Sequence, residues 1–234
     1  VAGAPPLYDF VTQAALLMPC ALLALEDLPQ PPLQAQSAAA GSQRCALLKA
    51  AGQVQGDDTA TQARSARQQL ADAGLSDGAL RAGAFSTGFD LWRAIAVTYA
   101  SAYGRYGAGE HPCAYRFSAA AADGIPGPAA AALRASWWSE GSGIPPGSGV
   151  VLVDGNAARS PEDPLQGLYC LRALGRGDSA DARRVRAGIA EATAKAPRRG
   201  LPIVVIHGMD DGLVPISMTS DRYVPLARKA GAQI

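Results

Sequence analysis

The stretch LPIVVIHGMDDGLVPISMTSDRYVPLARKAG, Leu201 to Gly231, decides how the chain is read. Its core, IVVIH (Ile203 to His207), is continuous and β-branched, and it is bounded by Pro202 and Gly208. A continuous apolar strand flanked by helices belongs in the middle of a parallel sheet, covered on both faces. The turn that follows sets two carboxylates, Asp210 and Asp211, at the strand's carboxyl edge, where open α/β sheets gather ligands and catalytic groups. Pro215 then begins the exit toward a helix from about Ser217 to Lys229, interrupted by Pro225.

The spacing His207-Gly208-x-x-Asp211-x-x-Val214-Pro215 resembles the acid-bearing turn of many α/β-hydrolases, with the acid at Asp211. A carboxylate is needed there because a base histidine must have one ring N–H held while its other nitrogen faces the nucleophile. The carboxylate also stabilises the imidazolium formed on proton transfer. Two other readings of the turn stand beside this one. Asp210 is the second candidate for the acid, and Asp-Asp-Gly also serves as a purely structural turn in which an Asp bonds its own backbone. Histidine is the usual general base, but His207 precedes the acid, whereas the hydrolase order is Ser, then Asp, then His. His207 therefore reads as a structural neighbour of the acid.

Working outward, helices carry their own punctuation. Asp57, Asp58 and Thr59 offer caps for a helix through Gln62 to Ala73, ended by Gly74. Asp90 offers a cap for DLWRAIAVTYASAYG, where Leu91, Ile95, Ala96, Tyr99 and Tyr103 recur at helical spacing before Gly104. Further helices are expected from Pro128 to Trp138 and from Ser179 to Ala196, and Gln30 to Gly41 reads as an exposed loop. VVLV, Val150 to Val153, is the second strand. The expected fold class is α/β: residues 1–196 form a large, mainly helical insertion (a lid or cap), and residues 197–234 form the C-terminal piece of a partial α/β-hydrolase-like core. Trp92, Tyr99, Tyr103, Trp137 and Trp138 either line an apolar acyl cleft or pack as ordinary core.

Composition excludes several functions. The 234 residues are 48% apolar and 18% charged, as a globular chain requires. Lys plus Arg is 21 and Asp plus Glu is 20, so the balance of 21 − 20 = +1 gives no footprint for nucleic acid or an anionic membrane. The most apolar stretch, Ala15 to Leu25, is short, contains Pro19 and runs into Glu26 and Asp27. It reads as a buried helix and not as a membrane span or signal peptide. Cys20, Cys45, Cys113 and Cys170 are widely spaced and only two histidines are present, so a zinc site is not expected. An even cysteine count permits two disulfides with three possible pairings, or four buried thiols. Val1 is not a methionine, and Ile234 follows a helix and turn as a strand would begin. Both ends therefore read as cuts through a longer polypeptide.

No Gly-x-Ser-x-Gly elbow occurs. Ser86 in AFSTG follows no apolar strand, and Ser142 and Ser148 lie in a Gly-Pro loop. No histidine follows Asp211. Two of three triad groups are missing, so these 234 residues alone are expected to be inactive.

LYDFVTQAALLMPCALLA, AVTYASAYGRYG, CAYRF, RVRAGIAEA and LPIVVIHGMDDGLVPISMTSDRYV, in that order from about Leu7 to Tyr223, together resemble the D-(−)-3-hydroxybutyrate oligomer hydrolases. The resemblance implies a secreted bacterial serine esterase, extracellular or periplasmic, that cuts soluble oligomers from polyhydroxybutyrate to monomers without metal or cofactor. It also implies a nucleophilic serine upstream of the chain, a histidine downstream, and Asp211 as the triad acid. The chain departs from the family around Pro29 to Arg44 and Gly141 to Pro164. A tannase-like esterase, a serine peptidase and a non-catalytic helical binding module are the alternatives.

Overall fold

Helix α1, Leu7–Ala21, is apolar nearly all round, and a helix of that kind must be enclosed. Tyr8, Phe10, Val11, Ala14, Leu17, Met18 and Ala21 are all buried. The computed structural model describes residues 5–25, 31–88, 90–107, 109–120, 126–139, 149–156 and 163–234. The chain divides into two units, one formed by Val1–Gly88 with Ile189–Ile234 and the other by Phe89–Gly188. With the one-turn 3-10 helix that continues it, α1 gives an eighteen-residue stretch, Leu7–Ala24, long and apolar enough to cross a membrane, with mean hydropathy 1.5. The sequence reading, which counted only unbroken apolar runs, did not see it. Two thirds of that stretch is buried inside the fold, so its apolar surface is spent on the core.

Pro19 lies inside α1 and lacks the N–H that would bond the Ala15 carbonyl. Arg44 supplies the missing donor: its Nη1 bonds the carbonyls of Ala15 at 2.8 Å and Leu16 at 2.9 Å. Arg44 belongs to α2, Pro31–Ala50, so the exposed loop expected over Gln30 to Gly41 is instead helix from Pro31 onward. Its Pro-Gln-Ser-Ala composition hid that, but two tertiary links hold it. A Cβ on Gly41 would sit 2.5 Å from the Pro19 carbonyl, and Cys45 is joined to Cys20.

Helix α3, Thr59–Asp72, starts on a reciprocal cap between Asp58 and Thr61. The Thr61 backbone N–H, 2.7 Å from Asp58 Oδ1, holds the Asp58 carboxyl below the usual carboxylate range. It ends at Gly74, whose φ of +100° suits glycine alone among common residues. Two short helices follow, α4 at Asp77–Ala82 and α5 at Ala84–Gly88.

In the second unit, α6, Leu91–Gly104, is a helix as expected, but its buried face is Leu91, Trp92, Ala94, Ala96, Val97 and Ala100; of the expected stripe Ile95, Tyr99 and Tyr103 are only half-buried. Asp90 does not cap it. The residue is left-handed at φ 61°, makes no capping bond, and pairs with Arg93 instead. Strands β1 (Tyr115–Ala120), β2 (Pro126–Gly127) and β3 (Val150–Asp154) form an antiparallel sheet ordered β2-β1-β3, with Tyr115 opposite Asp154 and Ala119 opposite Val150. The segment Val150 to Val153 is thus a strand as expected, but in a small antiparallel sheet. Helix α7 runs Ala131–Ser139, three residues later at its start than expected. Helix α8, Gln166–Arg176, is tied by Cys170 to Cys113 beside β1. Helix α9, Ala180–Ala192, stops four residues before the expected Ala196.

In the first unit the strand expected from Ile203 to His207 does not form: among the described residues the only pairing beside it is an isolated parallel bridge between Pro202 and Gln233. The sequence reading covered this strand on both faces. Here Ile203, Val205 and His207 are half-buried, while Val204 and Ile206 are 87% and 93% exposed. Helix α10, Ser220–Lys229, follows the turn and continues through Pro225. Among the described residues there is no doubly covered parallel sheet.

Candidate active site

The turn after His207 is built around the Asp211 carboxylate. Its Oδ1 accepts the backbone N–H groups of Leu213 at 2.9 Å and Val214 at 2.8 Å, so the side chain closes its own loop. The Val214 and then the Leu213 hydrogen bonds hold the carboxyl below its usual range; partial burial opposes this and His207 adds to it slightly. Oδ2 is placed differently. Its neighbour His207 Nε2 lies 3.8 Å away, beyond hydrogen-bond range, and the side chain is 37% exposed. One oxygen is thus held by the turn and the other is left to accept a hydrogen bond from outside it.

His207 is engaged on both sides of its ring. Nε2 lies 2.8 Å from the Val214 carbonyl and Nδ1 lies 2.6 Å from Ser220 Oγ, with Thr219 Oγ1 at 3.5 Å. A carbonyl only accepts, so the network places a proton on Nε2, and Nδ1 is hydrogen-bonded to the Ser220 hydroxyl. A ring held in this way has no free nitrogen with which to act as a base, in keeping with the structural role read from chain order.

Asp210 faces other partners. Its Oδ1 accepts from the Ser76 hydroxyl at 3.0 Å, and Ser76 itself caps α4 by accepting the Ala79 N–H at 3.0 Å. A Cβ on Gly78 would fall 2.1 Å from Asp210 Oδ1, so the carboxylate lies directly over the first turn of α4. An anion there complements the helix N-terminus. Adjacent Asp210 and Asp211 therefore do separate things: one anchors the turn to α4, and the other organises the turn and keeps an oxygen open.

Two further contacts fix the turn. The Gly212 backbone packs on α4 so closely that a Cβ would meet Gly83 N at 2.6 Å and the Ala79 carbonyl at 2.9 Å. The Ser217 hydroxyl donates to the Gly74 carbonyl at 2.6 Å. Sequence reasoning missed Ser76, Gly78, Gly83 and Ser217. They lie up to 143 residues from their partners, and only the cap signal at Ser76 was there to be read.

The other candidates are dispersed. Ser86 is half-buried within the five-residue helix α5, not on a strand-to-helix elbow. Ser142 and Ser148, and the side chains of Trp137 and Trp138, lie outside the described residues. Trp92 is buried, and Tyr99 and Tyr103 pack edge to face at 5.7 Å. Among the described residues no three His, Cys, Asp or Glu side chains are grouped to hold a metal.

A family model described as 3HB-oligomer hydrolase matches residues 1–233, the Asp211 turn included. The chain belongs to the 3HB-oligomer hydrolase family. Similar relatives of this 3HB-oligomer hydrolase chain are proteins named D-(−)-3-hydroxybutyrate oligomer hydrolase. That of Paracidovorax citrulli is 36% identical over 96% of the chain and 34% of its own length. Those of Azoarcus sp. and Cupriavidus necator are 34% and 35% identical, over 94% and 95% of the chain and 34% and 33% of their own lengths. The chain spans about a third of the length of the curated relatives it matches. No solved structure matches it.

Proposed function

We propose that this 3HB-oligomer hydrolase chain carries the acid-bearing part of a serine esterase that hydrolyses 3-hydroxybutyrate oligomers to monomers, with Asp211 as the triad acid. The observation that carries the reading is the division of labour within one carboxylate: Oδ1 is committed to Leu213 and Val214, and Oδ2 accepts no hydrogen bond from the described residues. The relatives' printed name supplies the substrate class. In the reaction, a serine from outside these 234 residues attacks the ester carbonyl. A histidine, also from outside, takes the serine proton and returns it to the leaving alkoxide, and water then releases the acyl-enzyme by the same route. Asp211 Oδ2 holds the N–H of that histidine and stabilises the imidazolium.

The fold that suits this chemistry is an α/β core in which Ile203 to His207 is an inner parallel strand, with the helical residues before it forming a cap. The parallel bridge from Pro202 to Gln233 and the exposed apolar side chains of Val204 and Ile206 support it. Secretion to the periplasm or beyond fits the disulfides Cys20–Cys45 and Cys113–Cys170, which consume all four cysteines.

The test is Asp211→Asn in the family-length protein, assayed on a 3-hydroxybutyrate dimer and trimer. Asparagine retains an oxygen for Leu213 and Val214 but turns an N–H donor toward the histidine, so turnover is expected to fall by up to ~10⁴-fold with folding intact. A near-normal rate removes Asp211 from the mechanism.

A further inference from the structure

We infer that His207 is a positioning residue that sets the geometry of Asp211, neither a base nor a passive filler. The proposal rests on the reading of Asp211 as the triad acid. Its basis is a continuous line of hydrogen bonds. The Ser220 hydroxyl is hydrogen-bonded to His207 Nδ1 at 2.6 Å, Nε2–H donates to the Val214 carbonyl at 2.8 Å, and the Val214 N–H donates to Asp211 Oδ1 at 2.8 Å. The ring thus links helix α10, which begins at Ser220, to the carbonyl of the residue whose N–H grips the carboxylate, the two groups of Val214 being joined through its Cα.

Rotation about the Cα of Val214, which the His207 bond to its carbonyl restrains, would let its N–H leave Oδ1 and the carboxylate turn. Because His207 lies on the segment before the turn and reaches forward seven residues to Val214, it measures the width of the loop that Asp211 closes. Its side chain is only 14% exposed, so water does not readily replace it. Misplacing a catalytic group by about 1 Å costs on the order of 10²-fold in rate, and such groups are held by neighbours whose own rotamers are locked. The direction of the Nε2–H bond matters as well. With Nε2–H committed to Val214, His207 places no donor within bonding distance of Asp211 Oδ2, and that oxygen stays available.

The test uses the family-length protein with 3-hydroxybutyrate dimer as substrate and compares His207→Ala, His207→Gln, Ser220→Ala and Asp211→Asn. The glutamine amide offers one donor and one acceptor, as the neutral imidazole does. For His207→Ala, kcat is expected to fall roughly 10- to 100-fold with KM within about twofold. The acid limb of kcat/KM should move to lower pH, because a poorly held carboxylate no longer supports the imidazolium. His207→Gln should restore most of kcat, and Ser220→Ala should lose less than His207→Ala. If Asp211→Asn is inactive while His207→Ala keeps kcat within twofold and the same acid limb, positioning by His207 is wrong and the acid assignment survives. If both variants are active, the acid assignment itself is wrong. Should His207→Ala fail to fold, Ser220→Ala and His207→Gln decide: a lowered kcat and shifted limb in Ser220→Ala that His207→Gln largely avoids supports positioning. An unaltered Ser220→Ala profile overturns it.

Discussion

Gly212→Ala offers a stringent test of how the Asp211 turn is held. A Cβ built on Gly212 meets Gly83 N at 2.6 Å, the Ala79 carbonyl at 2.9 Å and Ala82 C at 3.0 Å. Ordinary contact begins at 3.4 Å, so the turn and α4 must part by 3.4 − 2.6 = 0.8 Å. All three obstructing atoms are backbone, in or beside a helix, and cannot swing aside. Overpacking of this kind costs about 1–3 kcal/mol. Gly212 is not in the left-handed region, so alanine recovers ~0.4–1 kcal/mol through the unfolded chain. The net loss is then at most about 2.6 kcal/mol, or up to roughly 10 °C in Tm for a chain of this size, and about 1–3 kcal/mol relative to an alanine that meets no clash. Two controls frame it. Gly208→Ala meets nothing nearer than 4.0 Å and should melt at or slightly above the parent. Gly78→Ala clashes only with the Asp210 side chain, which can rotate away. It should cost little stability, displace Asp210 from Ser76 and leave Asp211 in place. The assay is equilibrium unfolding of each variant followed by circular dichroism. If Gly212→Ala melts with Gly208→Ala, the turn does not rest on α4, and the separation of Asp210 from Asp211 falls with it.

Two further outcomes follow from the same coordinates. Non-reducing peptide mapping should recover Cys20–Cys45 and Cys113–Cys170, and any other pairing contradicts the packing of α1 on α2 or of α8 beside β1. With sequence separations of 25 and 57, each bond stabilises its unit by about 3–4 kcal/mol in the chain-entropy account, so paired Cys→Ser variants should unfold at clearly lower denaturant. Glu110, hydrogen-bonded by Arg184 and by the Gly107 N–H, is held down to about 2. A depressed carboxylate contributes stability that is complete above its unfolded value of 4.5 and is lost as pH falls through about 2. A carbon-13 titration should place its midpoint near that lower value, and a midpoint near 4.5 would show the Arg184 pair to be absent in solution.

Local signals in the sequence were read well where they are self-contained. Asp58 caps α3 and Gly74 ends it, because cap and stop are decided within a few residues. Val150 to Val153 is extended for the same reason. What was misread depends on partners distant in the chain. Helix α2 looks like a loop until Arg44 is seen filling the carbonyls near Pro19 and Cys45 joining Cys20. Asp90 resembles a cap, but Arg93, which also reaches Asp154 at 3.1 Å, draws its carboxylate away. At the site, the motif pointed to the turn at Asp211, whose carboxylate does organise that turn. It held no sign that Asp210 is claimed by Ser76, since that contact joins residues 134 apart.

A strand with one covered face needs apolar residues only at alternate positions, yet the segment leading to His207 is apolar at every position from Ile203 to Ile206, a pattern that belongs to strands covered on both sides. In the chain only the face of Ile203, Val205 and His207 is partly covered, and Val204, Ile206 and Met209 stand 87%, 93% and 72% exposed. Burying a side chain of that size is worth about 1.5–3 kcal/mol, so the segment carries several kcal/mol of burial that these residues do not realise. Among the described residues its nearest pairing is the bridge from Pro202 to Gln233. The Asp211 turn, by contrast, is set by contacts within this chain, through Gly212 and Ser217 on one side and the His207–Ser220 bond to α10 on the other.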